Sequence, residues 1–159
     1  MRRPKLYLET SVWNFFFADD APEKKEITLK FFKKIETKEY EIFISDIVIE
    51  EIRRAEPQKR RVLLELVEKY KPKILEIDIE VEYLTKAYIN EDIFSANREE
   101  DAKHAAVATI HEIDALISWN LKHLANFNKM EKINGVNLKE GYLKKIELIT
   151  PMEVSEYEL

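Results

Sequence analysis

The sequence predicts an α/β fold, a parallel sheet covered by helices on both faces. Three observations carry this. Short apolar runs, Leu6–Leu8, Ile42–Ile44 and Ala115–Ile117 among them, alternate with longer stretches of helical apolar spacing. Several runs end in polar residues suited to helix starts, as at Glu9-Thr10-Ser11 and Ser45-Asp46. With 159 residues and 45% hydrophobic content, the chain is long enough to bury a core as one domain over residues 1–159.

The elements follow in order. Lys5-Leu6-Tyr7-Leu8 reads as the first strand. Thr10 or Ser11 caps a short helix through Phe17, and Asp19, Asp20 and Pro22 break it. Ile27, Phe31, Phe32 and Ile35 then mark an amphipathic helix over residues 23–37. The second strand is Glu41 to Ile44, after which Ser45 or Asp46 caps a helix holding Ile47, Val48, Ile49 and Ile52. Pro57 opens a helix to Tyr70, and Lys73 to Glu76 forms a third strand. Asp78 caps a helix to Asn90. A loop from Asp92 to Arg98 leads into an alanine-rich helix over residues 99–112. Ala115 to Ser118 is the fourth strand, with a helix from Leu121. The stretch Asn134 to Tyr142, which holds both glycines, reads as a loop. Ile146 to Ile149 is the fifth strand, and Pro151 begins a terminal turn.

Composition excludes several chemistries. Cysteine is absent, so there is no disulfide, thiolate zinc site or cysteine nucleophile. Gly135 and Gly141 stand far from any strand-to-helix turn, which excludes a P-loop and a dinucleotide fingerprint. No apolar run is long enough to cross a bilayer and no signal-peptide core follows the amino terminus, so a cytoplasmic location without membrane contact is expected. The net charge of -5 gives no global attraction for nucleic acid, so such a ligand would need a local basic rim. The same acidity suits a protein that gathers carboxylates around divalent cations.

Glu9, Asp46 and Asn120 stand near strand ends, where open parallel sheets gather ligands. Glu51 and Asp101 stand on helices beside apolar faces. Asp46 reads first as an N-cap. Glu51, flanked by Glu50 and Arg53, fits surface charge or a site acid equally. Asp101 in a first helical turn suits the helix dipole, but it shares a face with His104, Ala105 and Ala108. An acid on a packed face needs a cation or a hydrogen-bond partner. Asn120 is a cap or an amide-oxygen ligand. His104 lines a pocket or bonds to a carbonyl, and His111-Glu112 fails the zincin pattern because position 115 is Ala. Lys122 and His123 face a phosphate or are a solvated helix start. Ser11 and Ser118 lack a visible oxyanion loop, so Ser11 fits a cap or a donor to a phosphate or metal-bound water.

Four segments together resemble the motifs of the PIN-domain family, the fold of VapC-like toxin ribonucleases. Leu6 to Val12 resembles its opening strand, usually followed by Asp-Thr-Ser. Ile44 to Ile52 resembles the second motif, Asp101-Ala102-Lys103-His104 the third, and Leu116 to His123 the fourth. Ser118-Trp119-Asn120-Leu121-Lys122-His123 is similar to a Ser-Trp-Asn-x-Lys-His prokaryotic subgroup, and the likeness extends to Thr150–Val154. The resemblance implies a three-layer α/β/α sandwich, hydrolysis of RNA dependent on Mg²⁺ or Mn²⁺, a cognate antitoxin as partner, and a homodimer. It places Glu9, Glu51 and Asp101 as catalytic acids and metal ligands, with Asn120 in the fourth ligand position. Ser11, His104 and Lys122 fall beside the substrate, and Arg98, Lys103 and Lys122 form a basic rim. Two positions depart from the family pattern: Glu9 replaces the usual Asp, and Asn120 replaces the fourth acid. A phosphatase of the haloacid dehalogenase type needs Asp-x-Asp after the first strand, and Glu9-Thr10-Ser11 is not that. The remaining alternative is a PIN-like module that binds RNA or protein without cutting.

Overall fold

The strands β1 (Lys5–Leu8), β2 (Glu41–Ser45), β3 (Lys73–Leu75), β4 (Ala115–Ile117) and β5 (Glu147–Ile149) form one all-parallel sheet in the order β3-β2-β1-β4-β5. This computed structural model describes residues 2–154. β1 and β4 are central, and Leu6, Tyr7, Leu8, Ala115, Leu116 and Ile117 are fully buried, as continuous apolar runs covered on both faces require. Leu6 sits opposite both Ile42 and Ala115, which fixes the register across the centre. β3 is a short edge strand with Lys73 and Ile74 exposed, a charged edge that resists further pairing.

The helices are α1 (Thr10–Phe15), α2 (Pro22–Glu36), α3 (Asp46–Arg53), α4 (Pro57–Tyr70), α5 (Ile79–Asn90), α6 (Glu99–Ile110) and α7 (Phe127–Lys139). They cover both faces of the sheet, so the expected three-layer α/β/α sandwich is the observed architecture. The α6 run Ala102, Ala105, Ala106 and Ala108 is fully buried, and its small side chains bring the helix backbone close to its neighbours. Phe31 and Phe32 of α2 belong to the core, whereas Phe17 is exposed.

Caps match the polar residues at strand ends, with shifts of one position. Ser45, not Asp46, caps α3 by accepting from Ile47 N at 3.2 Å; Asp46 is exposed in the first turn. Asp78 caps α5 through Val81 N at 3.0 Å. α1 begins after Glu9 without a side-chain cap, so neither Thr10 nor Ser11 serves as one.

The largest departure from expectation follows β4. No helix starts at Leu121. Asn120 O accepts from Leu124 N and Ala125 N, and Asn120 Oδ1 accepts from His123 N, which closes a turn instead. Asn126 then caps α7 by accepting from Lys129 N at 2.8 Å. α7 runs through Gly135, where a loop was expected. A mid-helix glycine costs about 1 kcal/mol relative to alanine, and burial of Met130, Ile133 and Val136 on one face offsets it.

The amino ends of the central strands are tied by Asp114. Its Oδ2 accepts from Lys5 N and Arg2, both at 2.7 Å, and Lys144 lies 2.8 Å from Oδ1. Burial pushes this carboxyl up, but Arg2, Lys144 and the Lys5 amide prevail and hold it down at about 2.

Candidate active site

The chain runs from β1 through β2 to β3 on one side, then returns to β4 and β5 on the other. The strand order therefore reverses at β1, and the crevice at the carboxyl ends of β1 and β4 is the topological place for a ligand. Glu9 follows β1 there and Ser118 follows β4. Glu9 is only 5% exposed. Its Oε1 accepts from Ser11 Oγ and Ser118 Oγ, both at 2.6 Å, and the other oxygen has no hydrogen bond among the described residues. Ser11 Oγ also accepts from Trp119 N at 2.8 Å, and Trp119 Nε1 donates to Thr28 Oγ1 at 2.9 Å. The loop after β4 is thereby pinned to both α1 and α2.

Glu51 enters from α3, in the second turn past the Ser45 cap. Thr10 Oγ1 donates to its Oε1 at 2.7 Å, and His104 Nε2 lies 2.7 Å from the same oxygen. His104, fully buried on α6, bonds through Nδ1 to the Tyr7 hydroxyl at 2.7 Å, and that hydroxyl meets Ser45 Oγ at 2.7 Å. A chain Ser45–Tyr7–His104–Glu51–Thr10 thus crosses the core and ends at the site. Burial pushes the His104 pKa down, but the bond to Glu51 and the charges of Glu51, Glu9 and Asp101 raise it above its ordinary value. Burial pushes Glu51 up, and His104, Thr10 and Arg54 bring it below the usual carboxylate range. Both directions describe one His104–Glu51 attraction.

Asp101 opens α6 and is largely buried. Burial, and the charges of Glu9 and Glu51, hold its pKa above the ordinary value against the pull of His104 and Arg98. Arg98 lies 3.9 Å away. Asn120 Nδ2 lies 3.5 Å from Asp101 Oδ1, at the limit of a hydrogen bond, while Asn120 Oδ1 accepts from His123 N at 3.0 Å. Glu51, Arg98 and Asp101 line a solvent-open groove with Ala96 and Asn97.

Ligand atoms of Glu9, Glu51 and His104 lie within 4.8 Å of one another. Both His104 nitrogens are engaged, with Tyr7 and Glu51, so the imidazole serves as a tether. The open donors are then carboxylate oxygens. Two carboxylates at about 5 Å repel by roughly 3 kcal/mol at an effective dielectric of 20, and a divalent cation relieves that. Oxygen donors of this kind suit Mg²⁺ or Mn²⁺.

The structure therefore brings Glu9, Glu51, His104 and Ser11 together, while Asp101 lies outside that close group, sharing a groove with Glu51, and Asn120 reaches only Asp101, at 3.5 Å. Lys122 is exposed on the turn beyond Asn120 and makes no hydrogen bond through its side chain among the described residues. Lys103 turns away to Glu82 and Glu99, at 3.1 and 3.8 Å. Lys129 stands in the rim that Lys103 leaves. Its Nζ donates to Ile93 O and sits 4.5 Å from the Phe94 ring centroid. Burial and Lys132 lower its pKa, against the pull of Asp101. Burial, Arg98, Lys122 and Lys129 likewise lower His123, so these cations cluster beside the acids. Sequence reading also missed Tyr7. Its signal was a tyrosine within a fully apolar strand, since a buried hydroxyl requires a partner.

No protein-family model matches the chain, and no curated protein matches it. Among solved structures it is similar to a chain of VapBC2 from Rickettsia felis, determined bound to a DNA fragment from their promoter. The TM-score is 0.55 at 15% identity, over 92% of this chain and 96% of that one. At that identity the likeness is one of fold: the chain shares the α/β/α architecture of a VapBC2 subunit.

Proposed function

We propose that this protein is a divalent-metal-dependent endoribonuclease, the toxin of a type II toxin–antitoxin pair, acting in the cytoplasm as a homodimer. One observation carries the reading. Two carboxylates from separate elements, Glu9 and Glu51, lie with His104 within 4.8 Å at the strand-order switch point; Asp101 shares a groove with Glu51 and feels the charge of both acids, with Arg98, Lys122 and Lys129 nearby. The fold shared with a VapBC2 subunit supports an antitoxin partner.

Glu9, Glu51 and Asp101 would hold Mg²⁺ or Mn²⁺, which when bound lowers the pKa of water and stabilises a departing oxygen. The chain's own residues do the rest. Ser11 and Ser118 orient Glu9, while Thr10 and His104 orient Glu51. Arg98, Lys122 and Lys129 attract the phosphates flanking the scissile bond. The reaction proposed is hydrolysis by water without a covalent intermediate, with both serine hydroxyls spent on orienting Glu9.

The test is incubation with single-stranded and structured RNAs in Mg²⁺ and in Mn²⁺, beside Asp101→Asn and a chelated control. Cleavage by the unaltered protein alone is expected. Equal cleavage by Asp101→Asn sinks the site. Asn120 favours a second reading, a PIN-like module that binds RNA or a protein without cutting, because its amide brings no charge and its oxygen already bonds to His123 N. Binding by both proteins with cleavage by neither selects that module.

A further inference from the structure

We propose that a basic groove at the opposite end of the sheet grips the phosphate backbone of the same RNA substrate, away from the site of cleavage; this rests on the ribonuclease reading. The groove is lined by Arg3, Lys38, Lys69, Lys71 and Lys73, with Tyr40 and Tyr70 in its wall. Arg3 precedes β1 and Lys73 opens β3, so it lies at the amino ends of the strands. The acids lie at the carboxyl ends, a strand length of roughly 15 Å away.

Charge selects the occupant. The groove's two acids are both engaged. Glu36 accepts from the Tyr70 hydroxyl at 2.8 Å, and Glu41 pairs with Lys73 at 3.6 Å. Among the described residues Arg3, Lys38, Lys69 and Lys71 form no ion pair. Five cations against Glu36 and Glu41 leave this concavity a local excess of positive charge on a chain of net charge -5. Lys38 and Lys71 follow the ends of α2 and α4 with φ of 67° and 50°, a left-handed conformation that favours glycine or asparagine. Lys69 Nζ lies 5.3 Å from the Tyr70 ring centroid, which holds that ammonium at the groove wall. Lysines act as point charges that suit phosphates spaced along a backbone. An acidic protein meeting RNA at a carboxylate cluster needs such attraction, and the rim beside Asp101 supplies only part of it.

The test uses the full chain in chelator. A labelled RNA long enough to reach both ends of the sheet is titrated beside a short oligomer that reaches only the acids. The variant is Lys38→Asn/Lys69→Gln/Lys71→Asn, with asparagine chosen because it tolerates the left-handed backbone; its melting curve reports folding. Each lost phosphate contact removes about 0.7 from the salt slope for single strands. The slope for the long RNA is therefore expected to fall by about 2 and its affinity by at least tenfold, with binding and Mg²⁺-dependent cleavage of the short oligomer unchanged. Unchanged slope and affinity for the long RNA overturn the groove, as does an equal loss for both RNAs or a preference for duplex DNA over RNA. The two readings separate. Groove-dependent binding without cleavage by any protein upholds the groove and removes the nuclease. Asp101-dependent cleavage with an indifferent triple variant does the reverse.

Discussion

Replacing His104 with leucine isolates the tether that holds Glu51. The ring is fully buried and makes two bonds of 2.7 Å, to Glu51 and to Tyr7. The charge-assisted bond contributes roughly 1.5–3 kcal/mol and the neutral one about 1. Leucine is close in volume, so little cavity cost is added. Tyr7 keeps Ser45 as a partner and Glu51 keeps Thr10. The expected loss is about 3 kcal/mol, a fall in Tm of roughly 6–12 °C for a chain of this size. The sign with pH follows from the directions above. His104 is raised when folded, so its contribution is full below the unfolded value near 6.5 and is lost as pH rises through the folded value. Glu51 is lowered, so its contribution is present above 4.5 and is lost as pH falls through the folded value. These are one interaction seen from its two partners and are counted once. Urea unfolding of both proteins in chelator, from pH 5 to pH 9, should show the widest stability gap near pH 5–6.5 and a narrowing gap above it. A gap that is constant across that range refutes a charged His104–Glu51 pair.

Three further outcomes follow from the same geometry. Asp101→Asn removes a carboxylate whose ionisation burial and two neighbouring acids oppose, so the metal-free variant should be more stable by about 1 kcal/mol while cleavage is lost; calorimetric melting at pH 7 with a lower Tm would contradict this. Asn120→Asp adds a charge beside Asp101 and should raise Mn²⁺ affinity about tenfold by titration calorimetry, and no gain would remove Asn120 from the cluster. Gly135→Ala places a methyl where nothing lies within 4 Å, inside α7, and should raise stability by about 1 kcal/mol in urea. A destabilised alanine variant would show that the glycine serves a purpose other than packing.

The sheet was legible because its central strands are unbroken apolar runs, and buried parallel strands leave no other pattern. Glu9 was legible for the same reason: an acid directly after such a run stands at the sheet's carboxyl edge. Spacing alone left Glu51 between surface charge and a site acid, and only the family resemblance singled it out, because local spacing is blind to a histidine 53 residues away that holds it. The tract after Asn120 misled because its residues are acceptable in a helix. A side-chain bond from Asn120 to His123 N decided for a turn. Gly135 suggested a loop, where burial of α7's apolar face outweighed intrinsic propensity. Lys129 lay beyond reach, since its approach to Asp101 depends on how α7 docks rather than on any motif.

Glu9 has one oxygen fixed by two serine hydroxyls and the other left open. Such a carboxylate presents a single atom to the crevice and cannot chelate through both without breaking two short hydrogen bonds. Ca²⁺ commonly takes carboxylates in bidentate fashion within a large, flexible shell, while Mg²⁺ demands a small octahedral one and accepts oxygens singly. If Glu9 holds a metal as proposed, the paired serines would act as a filter on coordination mode, favouring the smaller ion by restricting the carboxylate's rotation although neither serine need touch the cation.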